Sequence, residues 1–466
     1  MEPSRGEVTT SEATLLVIDV DPSMVTANPK EIYADLCRKN DLCPLKCIED
    51  ALGDPQRSFT PEGVSCCIRG DGRPQCTRVT AVHCRLLCRG LEIASVRIDT
   101  IDLSHNPIQD EGCTAIASLV KDGAKKIKLR GCMLSGTGVS RLLSALRSSS
   151  RDMEELDFSD NPIGTEAGVE IAEVSFARYS VLWSASTAVP TGIVPVVLAQ
   201  YCQTAHPRLV LTKNVVVEGL KSLSVDSCDL GYDAVHAIIN VLDPNNAERR
   251  AAVVEGLDIS NPRLQNHQNS QLLFQHMGRM LSSNTRLRKL HLGKMRIKDD
   301  TLKILIDALE SNPDNEIAVL DLRCNLIGWK GLQVLAAYIQ SDSCKITHLN
   351  LEANRIGDML ETAAVVQFCH AVAQPGCGIV ALNVTRNSLC GNALLALVKC
   401  VRECAPRLGT VMWYFNDWNE EAKESLKAIS HLEYLSTDIF IQEVCDENQT
   451  ASHAVYNGNI AWSYGV

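Results

Sequence analysis

The chain has 466 residues and a formal net charge of −11 at pH 7, and 45% of its residues are hydrophobic. An acidic chain of this kind is a poor candidate for a nucleic-acid-binding protein, because phosphate contacts require clustered Lys and Arg. The hydrophobic share is that of a globular protein and leaves enough apolar surface for a packed core.

The ends of the chain and its apolar stretches predict where it resides. Residues 1–10 contain no apolar core of a secretory signal. The most apolar stretch, residues 192–199, is interrupted by Pro195 and is far shorter than the roughly 20 residues that span a bilayer. Glu2 excludes N-myristoylation, and the last residues carry no prenylation box. We therefore expect a soluble, intracellular protein with neither a membrane nor a nucleic acid as partner.

Residues 1–95 are predicted to form an N-terminal, cysteine-rich cap that covers the apolar edge of a repeat array. Within this region Leu15–Val20 is typical of a short strand, and residues 30–51 are typical of a helix. Residues 58–74 carry three glycines and two prolines and are predicted to be loop. Residues 77–91 are predicted to be helical.

Eight of the twenty cysteines lie before residue 90. Cys43 and Cys47, like Cys84 and Cys88, are four residues apart, a spacing that zinc sites sometimes use. Four residues is also one helical turn, and both pairs fall in helix-like segments, so packing is the favoured interpretation. The sequence therefore predicts neither a metal site nor a cofactor.

A repeated pattern dominates the rest of the chain. Ile346–Ile356 matches L-x-x-L-x-L-x-x-N-x-L, with isoleucine at both ends. Leu349 and Leu351 alternate as one face of a short strand, and Asn354 then turns the chain with its side-chain amide. From residue 358 to 373 the apolar spacing changes to four, which predicts a helix packed against the strand layer.

Copies of this unit recur at steps of 26 to 34 residues, apart from one step of 67. A worn copy around Val181, Trp183 and Ser186 is predicted within the long step, giving about eleven units that are stable only when stacked. Two of the asparagine positions are occupied by cysteine, whose thiol can serve as a weak hydrogen-bond donor. Two others are occupied by Pro262 and Met295, which predict a local distortion of the solenoid. The asparagine-position residues are Asn106, Cys132, Asn161, Cys228, Pro262, Met295, Asn325, Asn354, Asn387 and Asn416.

The pattern stops after His431, and Ala454–Trp462 is typical of a β-hairpin around an Asn-Gly turn. The predicted domains are the N-terminal cap at 1–95, a solenoid at 96–431 and a C-terminal cap with a β-hairpin at 432–466. The predicted fold is an α/β leucine-rich-repeat solenoid, or horseshoe, with a parallel inner sheet and helices outside.

The runs Leu320–Asn325 and Leu156–Asn161, with repeats near 29 residues and a full helix in each, resemble the ribonuclease-inhibitor type of leucine-rich repeat. Within this type the chain resembles the leucine-rich repeat-containing protein 34 family. The resemblance implies a non-enzymatic scaffold of the cytoskeleton, associated with the axoneme of motile cilia and flagella near the radial spokes. It also implies axonemal proteins as partners, with the nucleus or nucleolus as the alternative location.

No P-loop, H-E-x-x-H or G-x-S-x-G motif occurs, and His105, His291 and His348 come from different repeats without a nucleophile beside them. We therefore expect no enzymatic activity. Regulation of a small GTPase is the alternative function, since related solenoids activate such enzymes, although those typically end in a long acidic tail.

Function is then expected on the inner face of the sheet. In L-x-L the middle residue and the residue after the motif point away from the core, which predicts an exposed concave row for protein binding. Acidic residues outnumber basic ones in this row, as suits a partner with a basic segment. The row comprises Asp102, Ser104, Lys128, Arg130, Asp157, Ser159, Asp226, Asp258, His291, Asp321, Arg323, Asn350, Glu352, Asn383 and Tyr414.

Overall fold

A computed structural model describes residues 28–53, 64–120, 124–147, 153–176, 220–245, 254–264, 267–357, 362–404, 407–429 and 436–437. These residues form one sheet of twelve parallel strands, which lie side by side in chain order. Strand and helix alternate along the chain, so each strand joins its neighbour through a helix on the same side of the sheet.

The strands are short, and most have three residues. They are β1 (Val64–Cys67), β2 (Ile98–Asp102), β3 (Lys126–Lys128), β4 (Glu155–Asp157), β5 (Ser222–Ser224), β6 (Gly256–Asp258), β7 (Lys289–His291), β8 (Val319–Asp321), β9 (His348–Asn350), β10 (Ala381–Asn383), β11 (Thr410–Met412) and β12 (Ser436–Thr437).

The helices pack one against the next along the outside. They are α1 (Pro29–Lys39), α2 (Lys46–Gly53), α3 (Ala81–Ile93), α4 (Gln109–Val120), α5 (Gly136–Leu146), α6 (Gly164–Phe176), α7 (Tyr232–Leu242), α8 (His267–Leu281), α9 (Asp299–Glu310), α10 (Trp329–Ile339), α11 (Thr362–Ala373), α12 (Gly391–Glu403) and α13 (Glu420–Ile429). Among the described helices, none is long and apolar enough to cross a membrane.

The leucines of the repeat define the register of the sheet. Leu320 of β8 is paired with Leu349 of β9, which is paired in turn with Leu382 of β10. Leu322 and Leu351, two residues further on, are completely buried. Packed helices need roughly 8–10 Å between their axes, whereas paired strands are only about 4.8 Å apart. A sheet with helices on one face therefore curls away from them, and the predicted solenoid with an inner sheet is confirmed.

The N-terminal region contributes a strand to this sheet. Residues 58–74 were predicted to be loop, but Val64–Cys67 forms β1, which pairs in parallel with β2. Its buried Cys66 and Ile68 alternate with exposed residues, as in the later strands. The surrounding glycines outweighed this alternation in the prediction, which is therefore wrong for β1. The two segments before it, α1 and α2, are helical.

The copy predicted around Val181, Trp183 and Ser186 lies outside the described residues. The strands that flank residues 177–219 in the chain are β4 and β5, and they pair directly, with Leu156 beside Leu223. The sheet thus continues from one to the other without an intervening strand. The described residues contain eleven strand-helix units when β1 and α3 are counted as the first unit.

At the other end the sheet extends past His431, because β12 pairs in parallel with β11. The hairpin predicted at Ala454–Trp462 lies outside the described residues. Trp413, which follows β11, is completely buried and meets Trp418 edge to face, with ring centroids 5.5 Å apart. Trp413 is therefore a core residue.

Candidate functional site

The turn after each strand has one backbone feature in common. The residue before the asparagine position has a positive φ in all ten repeats from β2 to β11. This left-handed conformation bends the chain sharply out of the sheet. The residues are His105, Gly131, Asp160, Ser227, Asn261, Lys294, Cys324, Ala353, Arg386 and Phe415, with φ between 52° and 62°.

The asparagine side chains then form a ladder along the solenoid. The amide nitrogen of Asn354 donates to the carbonyl oxygens of Leu351, at 3.0 Å, and of Leu322 in the preceding repeat, at 2.9 Å. Its side-chain oxygen accepts from the N–H of Ile327, at 3.1 Å. Asn325 makes the corresponding bonds one repeat earlier. Each buried asparagine therefore ties its own turn to that of its neighbour.

Cysteine replaces asparagine twice and retains the donor. The Cys132 thiol donates to the carbonyl oxygen of Leu103 at 3.2 Å, and the Cys228 thiol donates to that of Phe158 at 3.1 Å. Burial raises the pKa of both thiols, so they remain protonated and able to donate. The prediction of a substitute donor is confirmed.

Two consecutive repeats have no such donor, because the asparagine position is occupied by Pro262 after β6 and Met295 after β7. The strands themselves stay in register, with Leu257 paired to Leu290 and Leu290 to Leu320. A cavity of about 500 Å³ lies at the rim between the two turns. The departure from the repeat is therefore confined to the turns.

The concave row is mostly buried, and its predicted exposure is wrong. The completely or nearly buried members are Asp102, Ser104, Ser159, Asp226, Asp258, His291, Asp321, Asn350 and Asn383. The others, Lys128, Arg130, Asp157, Arg323, Glu352 and Tyr414, are half-buried. All of them follow the strand order, so the structure arranges them as one continuous row.

A repeated hydrogen bond explains why the middle position is so often Asp or Asn. In six repeats its side-chain oxygen accepts from the N–H of the residue two positions on, at 2.9–3.1 Å. This bond satisfies a backbone donor where the strand ends, as in an Asx turn. The six acceptors are Asp102, Asp157, Asp258, Asp321, Asn350 and Asn383.

Ion pairs cross the middle of the concave face. Arg323 contacts the carboxylate of Asp321 at 2.9 Å and that of Asp226 at 3.4 Å. Arg130 approaches Asp226 from the other side, at 3.9 Å, and contacts Asp160 at 2.7 Å. Nδ1 of His291 lies 3.4 Å from Asp321.

Acidic groups outnumber the cations at this point. Burial raises the pKa of Asp226 to about 6, and the nearby Asp258 adds to the shift, while Ser227 and Arg323 oppose it. Burial also raises the pKa of Asp157. One oxygen of Asp258, Oδ2, is buried and has no hydrogen-bond partner among the described residues.

Sequence reasoning missed several residues of this face. Glu155, one position before the motif leucine of β4, pairs with Lys128 at 2.6 Å and with Lys126 at 3.9 Å. Ser260 and Gly293 occupy the position after the motif in β6 and β7. The residue one place before the motif leucine also faces inward, which follows from strand alternation and could have been read from the sequence.

Within the described residues, no group of three or more His, Cys, Asp or Glu side chains is arranged to hold a metal ion. Of the paired cysteines, Cys84 and Cys88 are buried, as in the packing interpretation, while Cys43 is exposed and Cys47 half-buried. Burial raises the pKa of the Cys47 thiol. The packing interpretation thus fits Cys84 and Cys88 but not the exposed Cys43.

A family model described as "Leucine Rich repeat" matches residues 99–117 and 149–172, which are β2 with α4 and β4 with α6. The two matched stretches and the sheet together show a leucine-rich-repeat fold. Ribonuclease inhibitor of Sus scrofa is 22% identical over 408 residues, covering 77% of this leucine-rich-repeat protein and 86% of the inhibitor. Leucine-rich repeat-containing protein 34 of Mus musculus is 34% identical over 109 residues, covering 23% of this chain and 24% of that protein.

The leucine-rich-repeat protein also resembles part of a longer one. NACHT, LRR and PYD domains-containing protein 3 of Rattus norvegicus is 25% identical over 354 residues, which cover 73% of this chain. The chain spans only about 30% of the length of that relative. A solved internalin from Listeria monocytogenes covers 92% of this chain with a TM-score of 0.37 and 14% identity, and 98% of the internalin is covered.

Proposed function

We propose that this leucine-rich-repeat protein is a non-enzymatic scaffold whose concave face binds a basic segment of a partner protein. The observation that carries the proposal is Asp258, whose carboxylate faces the concave side and is fully buried, with one oxygen unpaired. A buried carboxyl group without a full set of hydrogen-bond partners is costly. A cation supplied by a partner would pair with it once the side chains that cover it move aside.

The charge around Asp258 supports the same partner. Burial raises the pKa of Asp157 and of Asp226, and the charge of Asp258 adds to both shifts. Among the described residues of this part of the face, Arg130 and Arg323 pair with aspartates, and His291 lies 3.4 Å from Asp321. A partner with clustered Lys or Arg would neutralise the excess negative charge of the concave face, and the same charge would steer the partner towards the groove.

The C-terminal end of the row adds a different contact. Tyr414 is half-buried, and Phe415 beside it is 58% exposed, with the Arg386 guanidinium 4.8 Å from its ring centroid. Tyr, Phe and Arg are enriched in protein–protein interfaces. A partner lying along the groove would therefore meet charge in the middle and aromatic surface at this end.

The test is binding of fluorescein-labelled nona-arginine, followed by fluorescence anisotropy at about 0.1 M salt. We expect the wild type to bind and Asp258→Asn to bind at least about fivefold more weakly, because the variant loses the carboxylate that the partner would neutralise. Asp314→Asn removes the same charge from an exposed loop position and should change the affinity less than twofold. Equal affinities for both variants would refute the concave site.

For the cellular setting we propose the axoneme of cilia or flagella near the radial spokes, with axonemal proteins as partners. The support is the similarity to leucine-rich repeat-containing protein 34 over 109 residues. The test is fractionation of ciliated cells, in which the protein should co-purify with detergent-resistant axonemes. Recovery in the soluble or nuclear fraction would overturn this setting and leave the peptide-binding proposal standing.

A further inference from the structure

Arg323 takes an unusual path across the concave face. Its side chain starts from the end of β8, yet one guanidinium nitrogen lies 3.4 Å from the carboxylate of Asp226 at the end of β5. Three strand spacings separate these backbones, about 14 Å at roughly 4.8 Å each. The arginine must therefore lie extended along the face, over the ends of β7 and β6.

The residues beneath it are small. An added Cβ at Gly293, after β7, would lie 3.0 Å from Cγ and 3.2 Å from Nε of Arg323, so the arginine stem lies directly on this glycine. The same Cβ would lie 3.3 Å from Oγ of Ser260, the corresponding residue after β6. Gly293 and Ser260 thus form the floor of a shallow slot, which we call the Ser260–Gly293 slot.

The two ends of the slot are acidic. One guanidinium nitrogen of Arg323, Nη1, contacts Asp321 at 2.9 Å, and the other, Nη2, contacts Asp226. Asp258, two residues before Ser260 on the same face, keeps one carboxylate oxygen without a partner although the residue is fully buried. The site therefore holds more carboxylate than its own arginine satisfies.

We propose that the Ser260–Gly293 slot is a binding site for a guanidinium group, which Arg323 fills in the free protein and which an arginine of a partner enters when Arg323 swings out. This inference rests on the proposed function, because it specifies the side chain that the basic segment presents. Arg323 is thus an internal stand-in for the ligand, and its position shows how the ligand lies.

The geometry favours arginine over lysine as that ligand. The planar guanidinium presents separate N–H groups to two carboxylates on different strands, whereas a lysine ammonium is a single compact charge. The slot has no bulky side chain on its floor, so a flat group can rest on it. Asp258 provides the additional carboxylate that would make the exchange with a partner's arginine favourable.

The experiment compares three variants of the full chain for binding of fluorescein-labelled nona-arginine and nona-lysine by fluorescence anisotropy. Arg323→Ala empties the slot and should bind nona-arginine about tenfold more tightly than wild type, with a smaller gain for nona-lysine. Gly293→Ala added to Arg323→Ala keeps every other charge but places a methyl group on the slot floor, and this double variant should bind nona-arginine about threefold more weakly than Arg323→Ala alone. Arg355→Ala removes the same charge from the exposed rim, and its affinity for nona-arginine should rise less than twofold.

The outcomes separate this inference from the proposed function. If wild type binds and Asp258→Asn weakens binding, but Arg323→Ala does not tighten it beyond Arg355→Ala, or the added Gly293→Ala leaves that gain unchanged, the slot is refuted and the concave scaffold remains. Equal gains for nona-lysine and nona-arginine would likewise refute a guanidinium site. If Asp258→Asn has no effect, both proposals fail. Circular dichroism of each variant shows whether it is folded, and Arg323→Gln, which also removes the guanidinium group, supplies an independent result should Arg323→Ala unfold.

Discussion

Replacement of Asn354 by alanine tests whether the asparagine ladder stabilises the solenoid. The asparagine donates to the carbonyl oxygens of Leu351 and Leu322 and accepts from the N–H of Ile327. Both carbonyl oxygens accept a second hydrogen bond. The side-chain amide of Asn387 also donates to Leu351, and that of Asn325 also donates to Leu322, each at 2.8 Å. After the substitution both carbonyls keep a partner, whereas the N–H of Ile327 loses its acceptor.

The expected loss follows from this difference. Two bonds to carbonyls that stay partnered are worth about 0.5–1 kcal/mol each, and an unpaired buried N–H costs about 1–3 kcal/mol. We therefore expect Asn354→Ala to lower the free energy of unfolding by about 2–5 kcal/mol. Asn354→Cys should cost less, because a thiol can donate as those of Cys132 and Cys228 do. Asn392→Ala, at an exposed helical position, is the control and should be neutral or slightly stabilising.

The assay combines urea denaturation with hydrogen exchange of residues 320–357. A solenoid is held together by contacts between neighbouring units, so the loss should appear first as faster exchange of the Ile327 amide and its neighbours. A free energy of unfolding within about 0.5 kcal/mol of wild type, with unchanged exchange, would show that the ladder contributes little. Equal losses for the alanine and cysteine variants would show that the donor is not the stabilising group.

Three further predictions concern the packing and the charge. Gly357→Ala should cost about 1–3 kcal/mol in urea denaturation, because its Cβ would lie 2.1 Å from the carbonyl oxygen of Ser388, whereas Gly376→Ala has open space and should be nearly neutral. Trp413→Ala should cost about 3–5 kcal/mol in the same assay, since the side chain is completely buried. The pKa of Asp226 is raised from 3.8 to about 6 on folding, so the stability that the protonated group contributes below about pH 4 is lost as pH rises through about 6. Asp226→Asn should therefore gain up to about 3 kcal/mol over wild type at about pH 7.5 and nothing at about pH 4, and an equal difference at both pH values would contradict this reasoning.

The repeat and its turns could be predicted because the responsible interactions are local. Leu349 and Leu351 alternate within one strand, and Asn354 bonds to the turn that contains it, so the signal lies within eleven residues. The first strand, Val64–Cys67, was missed because no asparagine follows it and glycines surround it. Where the local signal is incomplete, only pairing with β2 reveals the strand.

The burial of the concave row could not be read in the same way. Alternation indicates that Asp258 faces inward, but its exposure depends on what adjacent strands place above it. The contact between Arg323 and Asp226 joins residues 97 positions apart in the chain. No periodic pattern specifies how far an arginine extends across a sheet. Gly293, the glycine that makes room for Arg323, occurs in only one of the described repeats.

The two repeats of β6 and β7 bring the irregular features together. They contain the ladder positions without a donor, Pro262 and Met295, and they also contain Ser260 and Gly293 on the concave side. Elsewhere the ladder asparagine restrains the turn that follows the concave residue, so a turn without it is less constrained. The repeats that carry the guanidinium slot thus lack the ladder donor, and their turns are joined to their neighbours by other bonds, from Asn261 to Oγ of Ser227 and from the N–H of Gly293 to Oγ of Ser260. Movement of Arg323 out of the slot would be accommodated there without disturbing the regular ladder from Asn325 to Asn416.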